Sequence, residues 1–296
     1  MIYAEEDTQT IFQKEQETLA KELDWLLISQ LPNALYEIKK GLKSIIFTIL
    51  TKLEKCETIM KSPEHDDSLG TSTLPISSNN NDFLKGFITL DGSDIIKGEL
   101  SVKLSNYNRG NLIKLTINPK KPYFIEQLVD AQNYLTLALD ALERTSKDLT
   151  KESARELLDS VLIYIISSRS VLVCAHEEKL FPYKICDPQM FGTVIPEDLI
   201  IQFHVEGSNV VCSVYGLHYH SSLPSQKKNG GLLGTAKSSS NIWKYKDKYA
   251  SVLDKVIVKS RDPKLEEVME GLEKLERECL AWKGKIALFK NLELGN

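Results

Sequence analysis

Residues 263–289 read PKLEEVMEGLEKLERECLAWKGKIALF. Within this stretch Leu265, Val268, Leu272, Leu275, Cys279, Trp282, Ile286 and Phe289 are spaced alternately three and four residues apart, without a miss. That period keeps one apolar seam of an α-helix facing a partner helix. Glu270 to Lys274 and Glu273 to Arg277 add (i, i+4) charge pairs on the outside. Acidic residues crowd the first half and lysines the second, which suits the helix dipole. The spacing predicts a helix over 262–292 that must pack its seam against something.

A second seam lies at the other end of the chain. Leu35, Ile38, Leu42, Ile45 and Ile49 repeat the same steps, and Leu19, Leu23, Leu26 and Leu27 carry an earlier stripe. Helix is predicted over 8–60, kinked or broken at Pro32, where a backbone donor is missing. Its second piece would span roughly 40 Å. Between the two seams, Phe124, Leu128, Ala131, Leu135, Ala138 and Leu142 read as one helix. Leu158, Val161, Ile165 and Leu172 read as the next, with Thr150, Glu152 and Ser153 offering capping chemistry. The economical arrangement is an antiparallel four-helix, coiled-coil-like bundle joining both termini. A homodimeric coiled coil is the competitor, because a seam does not reveal which helix it faces.

The rest of the chain changes period. Leu100, Val102 and Leu104 alternate with Glu99, Ser101 and Lys103, and Asn108-Arg109-Gly110 signals a turn. Leu199–Val205 and Val210–Tyr215 flank a hairpin turn at Glu206-Gly207-Ser208-Asn209. Val252, Val256, Ile257 and Val258 suggest one more strand. The fold class is therefore α+β: an elongated protein of two domains. Residues 8–60, 123–176 and 262–292 form the helical domain. Residues 83–118 and 180–260 form an inserted antiparallel β domain. Residues 61–82 and 221–241, rich in Ser, Asn, Lys and Gly, read as flexible loops.

Composition narrows the function. The 296 residues are 42% hydrophobic and 26% charged, which is globular. A net charge of -4 carries no nucleic-acid signature. The five cysteines are widely spaced, with no C-x-x-C pair, and read as reduced thiols of a cytoplasmic protein. The first residues lack a signal peptide, and the most apolar run, Val161–Ile166, is far short of a membrane span.

Catalytic patterns are weak. Gly231-Leu-Leu-Gly-Thr-Ala-Lys-Ser238 approaches a P-loop, but Ala236 replaces the glycine that lets the backbone curl round phosphate. His218 and His220 share a strand face without a third or fourth ligand. Cys174 and His176 lack an orienting third group. No cofactor, metal or catalytic residue is expected. The stretch Lys227–Lys248 holds six lysines and one acid. Trp243 and Tyr245 within it are the candidate partner contacts, since aromatic anchors beside basic residues favour interfaces.

Four stretches carry a resemblance: Glu22-Leu-Asp-Trp-Leu-Leu27, Ile96-Lys-Gly-Glu-Leu-Ser-Val102, Gln127-Leu-Val-Asp-Ala-Gln-Asn133, and Phe191 through Pro196-Glu-Asp-Leu199 to Val214-Tyr-Gly-Leu-His218. In this order the chain resembles the Rogdi family, subunit 2 of the RAVE complex (regulator of the ATPase of vacuoles and endosomes). The long loops point to a fungal form. The resemblance implies a non-catalytic scaffold in assembly of the vacuolar-type proton ATPase, rejoining its peripheral catalytic sector to the membrane sector. Implied partners are the large, rabconnectin-like WD-repeat subunit, a small Skp adaptor and peripheral-sector ATPase subunits, with no nucleic acid. The membrane would be met only indirectly, by recruitment to vacuoles and endosomes. The alternatives are a coiled-coil tether and a metal- or nucleotide-dependent enzyme.

Overall fold

The computed structural model describes residues 8–49, 71–78, 83–146, 148–221 and 242–289, with backbone alone at Thr8 and Gln9. The fold is mixed α+β with two antiparallel sheets. It divides into two compact units. One comprises Met1–Thr48, Asp130–Ser170 and Val268–Asn296, the other Ile49–Val129 and Val171–Glu267.

The first unit is helical. Helix α1 (Thr8–Trp25) passes through a π-helical turn (Leu26–Gln30) into α2 (Leu31–Ile49). Of the kink or break expected at Pro32, the break is absent: the helix runs on through it. Instead, the N–H of Leu31 reaches back five residues to the carbonyl of Leu26. This widened turn comes just where the proline ring would otherwise meet the carbonyl four residues back. The helical prediction for 50–60 lies outside the described residues.

The greater part of helices α3 (Glu126–Glu143), α4 (Lys151–Val173) and α5 (Pro263–Ala287), from Asp130, up to Ser170 and from Val268 respectively, supplies the rest of this unit. Thr150 and Ser153 cap α4 reciprocally, each backbone N–H donating to the other's hydroxyl at 2.9 and 3.2 Å. Helix α5 runs antiparallel to α2: Leu275 meets Gly41, and Ile45 meets Gly271. It also runs antiparallel to α4. Arg169 pairs with Glu273 and Glu276, while Asp159 pairs with Lys283 further along α5. Ser168 Oγ donates to the Ala131 carbonyl of α3 at 3.1 Å.

The second unit holds the sheets. Strands β1 (Thr71–Ser77), β2 (Leu84–Asp91), β3 (Asp94–Val102) and β4 (Ile113–Thr116) pair in sequence order, and β5 (Tyr123–Phe124) adds to β3. Strand β1 lies where a loop was expected. Leu74 and Ile76 are buried and alternate with exposed Thr73, Pro75 and Ser77. Pro75 is tolerated because β1 is an edge strand.

The other sheet has the order β6-β7-β9-β8, from Leu199–Glu206, Asn209–His220, Lys248–Arg261 and Ile242–Tyr245. The free edge of β6 is closed by side chains. The Phe203 N–H donates to the Tyr123 hydroxyl at 3.1 Å, and the Val205 N–H to Gln127 Oε1 at 2.7 Å. An edge satisfied in this way offers no template for another strand.

Candidate partner-binding surface

The sheet segment that carries Trp243 and Tyr245 is a hairpin. Tyr245 faces Lys248 across Lys246-Asp247, both of which have positive φ. Two such residues make the tight turn whose twist matches the strands it joins. Residues i and i+2 of a strand share a face, so Trp243 and Tyr245 project together. Both meet Phe181, with ring centroids 6.0 and 5.4 Å away, and Phe181 also packs on Tyr215 at 4.8 Å.

Tyr245 is only 2% exposed and belongs to a buried cluster with Ile200, Leu217 and Ala250. Burial pushes its hydroxyl up to about 12. It is core, which corrects its assignment as a partner contact. The lysines around it suggested an interface, but the ring points to the face opposite Lys244. Trp243 is half-buried on edge strand β8, so only part of it is open to a partner. The preceding residues 222–241, including the P-loop-like stretch, lie outside the described residues.

The seam residues occupy these positions. Ile38, Leu42, Ile45 and Ile49 on α2 are buried, as are Leu265, Val268, Leu272, Leu275 and Ile286 on α5. Leu35, Trp282 and the post-helical Phe289 are half-buried. Burying one Leu or Ile side chain contributes about 1.5–3 kcal/mol.

Large apolar side chains beside the π turn escaped the sequence reading. Trp25, Ile28 and Tyr36 are 58%, 75% and 65% exposed. The signal was present: Trp25 and Ile28 fall outside the stripe of Leu19, Leu23, Leu26 and Leu27.

Chemistry is sparse. His218 and His220 stack edge to face with centroids 4.8 Å apart, and His220 Nε2 lies 2.9 Å from Ser251 Oγ. Among the described residues no three His, Cys, Asp or Glu side chains group to hold a metal ion. No described helix is long and apolar enough to cross a membrane.

The stretches that carried the resemblance perform structural work. A Cβ on Gly98 would stand 2.9 Å from Ile117 Cγ1, and one on Gly216 would stand 2.8 Å from the Tyr107 ring. Tyr107 in turn donates to Asp198 Oδ1 at 2.6 Å. Gln127 Nε2 donates to the carbonyls of Val171 and Val205 at 2.8 and 2.9 Å.

Residues 22–254 match the family described as "Rogdi leucine zipper containing protein". The chain belongs to the Rogdi family. Among similar proteins are those named "Protein rogdi homolog" from Danio rerio, Mus musculus and Homo sapiens. The zebrafish protein is 22% identical over 210 residues, covering 70% of each chain. The mouse protein is 23% identical over 210 residues and the human one 24% over 212, each covering 69% of both chains. The Rogdi match includes the π turn and most of both sheets, and it ends within β9, before α5.

Proposed function

We propose that the chain is a non-catalytic scaffold subunit of the RAVE complex, in a fungal member of the family. It promotes reassembly of the vacuolar-type proton ATPase by bridging a large WD-repeat subunit, a small Skp adaptor and peripheral-sector ATPase subunits. Membership of the Rogdi family over residues 22–254 is the observation that carries this reading. In it, the helices from both ends of the chain form an antiparallel four-helix bundle. The protein is cytoplasmic and is recruited to vacuolar and endosomal membranes by its partners.

Two surfaces are offered for the WD-repeat partner. One is Trp243 on the β8 edge. The other is the exposed group Trp25, Ile28 and Tyr36 beside the π turn, a type of helix irregularity frequent at functional sites. A few aromatic anchors carry most of the energy of an interface, and truncating one costs on the order of 2 kcal/mol. Trp243→Ala and the pair Trp25→Ala/Tyr36→Ala are to be compared in pull-downs from cells of the source organism. Loss of the WD-repeat partner in one variant, with an unchanged melting profile, assigns the contact. Full recovery in both variants removes both surfaces from the proposal.

A further inference from the structure

We propose that Asp91 and Asp94 hold a hard divalent cation of the magnesium and calcium class, with Thr71 as a third oxygen donor. This goes beyond the scaffold reading and does not rest on it.

Register builds the site. Strands β2 and β3 turn back through Gly92 and Ser93, and Gly92 has a φ of 59°. A glycine in the first position is what a two-residue hairpin turn of this kind needs. Thr89 pairs with Lys97 but Leu90 pairs with Ile95, so β3 carries one extra residue, a bulge. Without it Asp91 would face Ile95. With it Asp91 faces Asp94, and Thr71 of β1 faces Asp91 from the other side. Leu90 and Ile95 are buried on the inner face, so Thr71, Asp91 and Asp94 stand in one row on the other. Cβ atoms of directly opposite residues lie about 5 Å apart. Two carboxylates at that spacing reach one ion, whose bonds to oxygen are about 2.0–2.6 Å long. The turn is also tied down, because the Ile125 N–H donates to the Ser93 carbonyl at 2.9 Å.

This row is not solvated like the rest of its face. Asp91 is 8% exposed, and its Oδ1 is buried without a hydrogen-bond partner. Lys97 shares the face but lies three residues along β3, roughly 10 Å away. Among the described residues no Lys, Arg or His nitrogen stands at ion-pair distance from either carboxylate. Like charges directly opposite each other destabilise a sheet, and a buried carboxylate oxygen with no partner adds to the cost. Burial, and then Asp91, push the Asp94 carboxyl above its ordinary value, and no cation opposes them. A single bound cation relieves the repulsion and fills the unmet oxygen.

Donor type selects the class of ion. Carboxylate and hydroxyl oxygens suit magnesium, calcium and manganese, whereas zinc and copper favour imidazole and thiolate. The described residues hold no group of three acids or of mixed His, Cys and acid ligands. The site here has two charges and a hydroxyl, so binding is weak, with a Kd on the order of 10⁻⁴–10⁻³ M.

The test is isothermal titration calorimetry of the purified full chain, freed of metal with a chelator. Magnesium chloride and calcium chloride are titrated in separate runs. The expected result is one saturable site per chain for at least one of the two salts, and the salt that shows it names the ion. Asp94→Asn should weaken binding at least about tenfold, since losing even an outer partner of a ligand costs a metal site that much. Glu99→Gln, which removes an exposed acid of the same face, should bind like the parent. Melting temperature gives a second readout. In chelator Asp94→Asn, relieved of the repulsion, should melt at or above the parent, and added ion should raise the parent alone. Where Asp94→Asn fails to fold, Asp91→Asn takes its place. Three results would overturn the proposal: neither heat nor a rise in melting temperature with either salt, parent-like binding by Asp94→Asn, or equal loss in Glu99→Gln. A parent that binds no ion, beside an Asp94→Asn variant that melts higher in chelator, would assign the pair to a shared proton instead. The assay contains no partner protein, so its failure leaves the scaffold function standing.

Discussion

Leu275 on α5 lies over the bare Cα of Gly41 on α2, where an added Cβ would stand 2.8 Å from its Cδ2. One turn away the roles reverse, and a Cβ on Gly271 would stand 3.0 Å from Ile45 Cδ1. Each helix thus offers a glycine to the other's side chain, which lets the backbones approach closely. Gly41→Val should overpack this contact and destabilise the protein by about 1–3 kcal/mol. Gly284→Ala is the contrast: nothing lies within 4 Å of its Cβ, so helix propensity should add up to about 1 kcal/mol. Urea melts of the two variants check this. A shift of both in the same direction would remove the close-approach argument.

A charge in the seam should cost more than a clash. Leu42 and Leu272 are both 0% exposed. Leu42→Asp and Leu272→Asp would bury an unpaired carboxylate, and each should lower stability by more than about 4 kcal/mol. Circular dichroism melts would detect this, and parent-like melting would mean that the two stripes are not packed.

Gln127 should be irreplaceable by an isostere. Its amide fills three backbone valences, on Val171 and on both polar groups of Val205. Gln127→Glu keeps the shape but loses the donor, leaving two carbonyls unmet at a cost on the order of 3 kcal/mol. Gln127→Met, which serves none of them, should be at least as harmful. A chemical-denaturation midpoint unchanged in Gln127→Glu would show that water takes the amide's place.

His204 should make stability depend on pH. It is 7% exposed, with Nε2 3.2 Å from Glu206 Oε1, and Lys259 engages the same carboxylate. Burial holds the imidazole below its ordinary value, while Glu206 opposes that shift. The unfolded chain therefore takes up a proton first. Its contribution is complete above the unfolded value of about 6.5 and is lost as pH falls below that, through the lower value of the folded state. Glu206, held low chiefly by Lys259, stays ionised through this window. Denaturation midpoints at several pH values should slope less in His204→Phe than in the parent chain. Equal slopes would place the dependence elsewhere.

The legible parts of this fold are those whose signal is local. The three-four stripe from Leu265 to Phe289 marks its own helix, and Glu206-Gly207-Ser208-Asn209 marks its own turn. The Gln127 clamp was not legible, because it ties together backbone 44 and 78 residues away. Strand β1 was hidden because Pro75 and its hydroxyl neighbours dilute a short alternation at a sheet edge. Tyr245 misled because charged neighbours describe only one face of a strand. At the candidate partner surface, the sequence named Trp243 and passed over Trp25 and Tyr36. Exposure of a helix residue depends on what the other helices leave uncovered, and a single stripe does not state it.

The bridging role proposed here for a member of the Rogdi family in proton-ATPase assembly implies a definite set of partners. Affinity purification of the tagged full chain from cells of the source organism, with mass spectrometry of the co-purified proteins, tests it most directly. The expected result is a large WD-repeat protein in near-stoichiometric amount, accompanied by peripheral-sector subunits of the vacuolar-type ATPase. A different stoichiometric partner, with no ATPase subunit recovered under the same conditions, would contradict it.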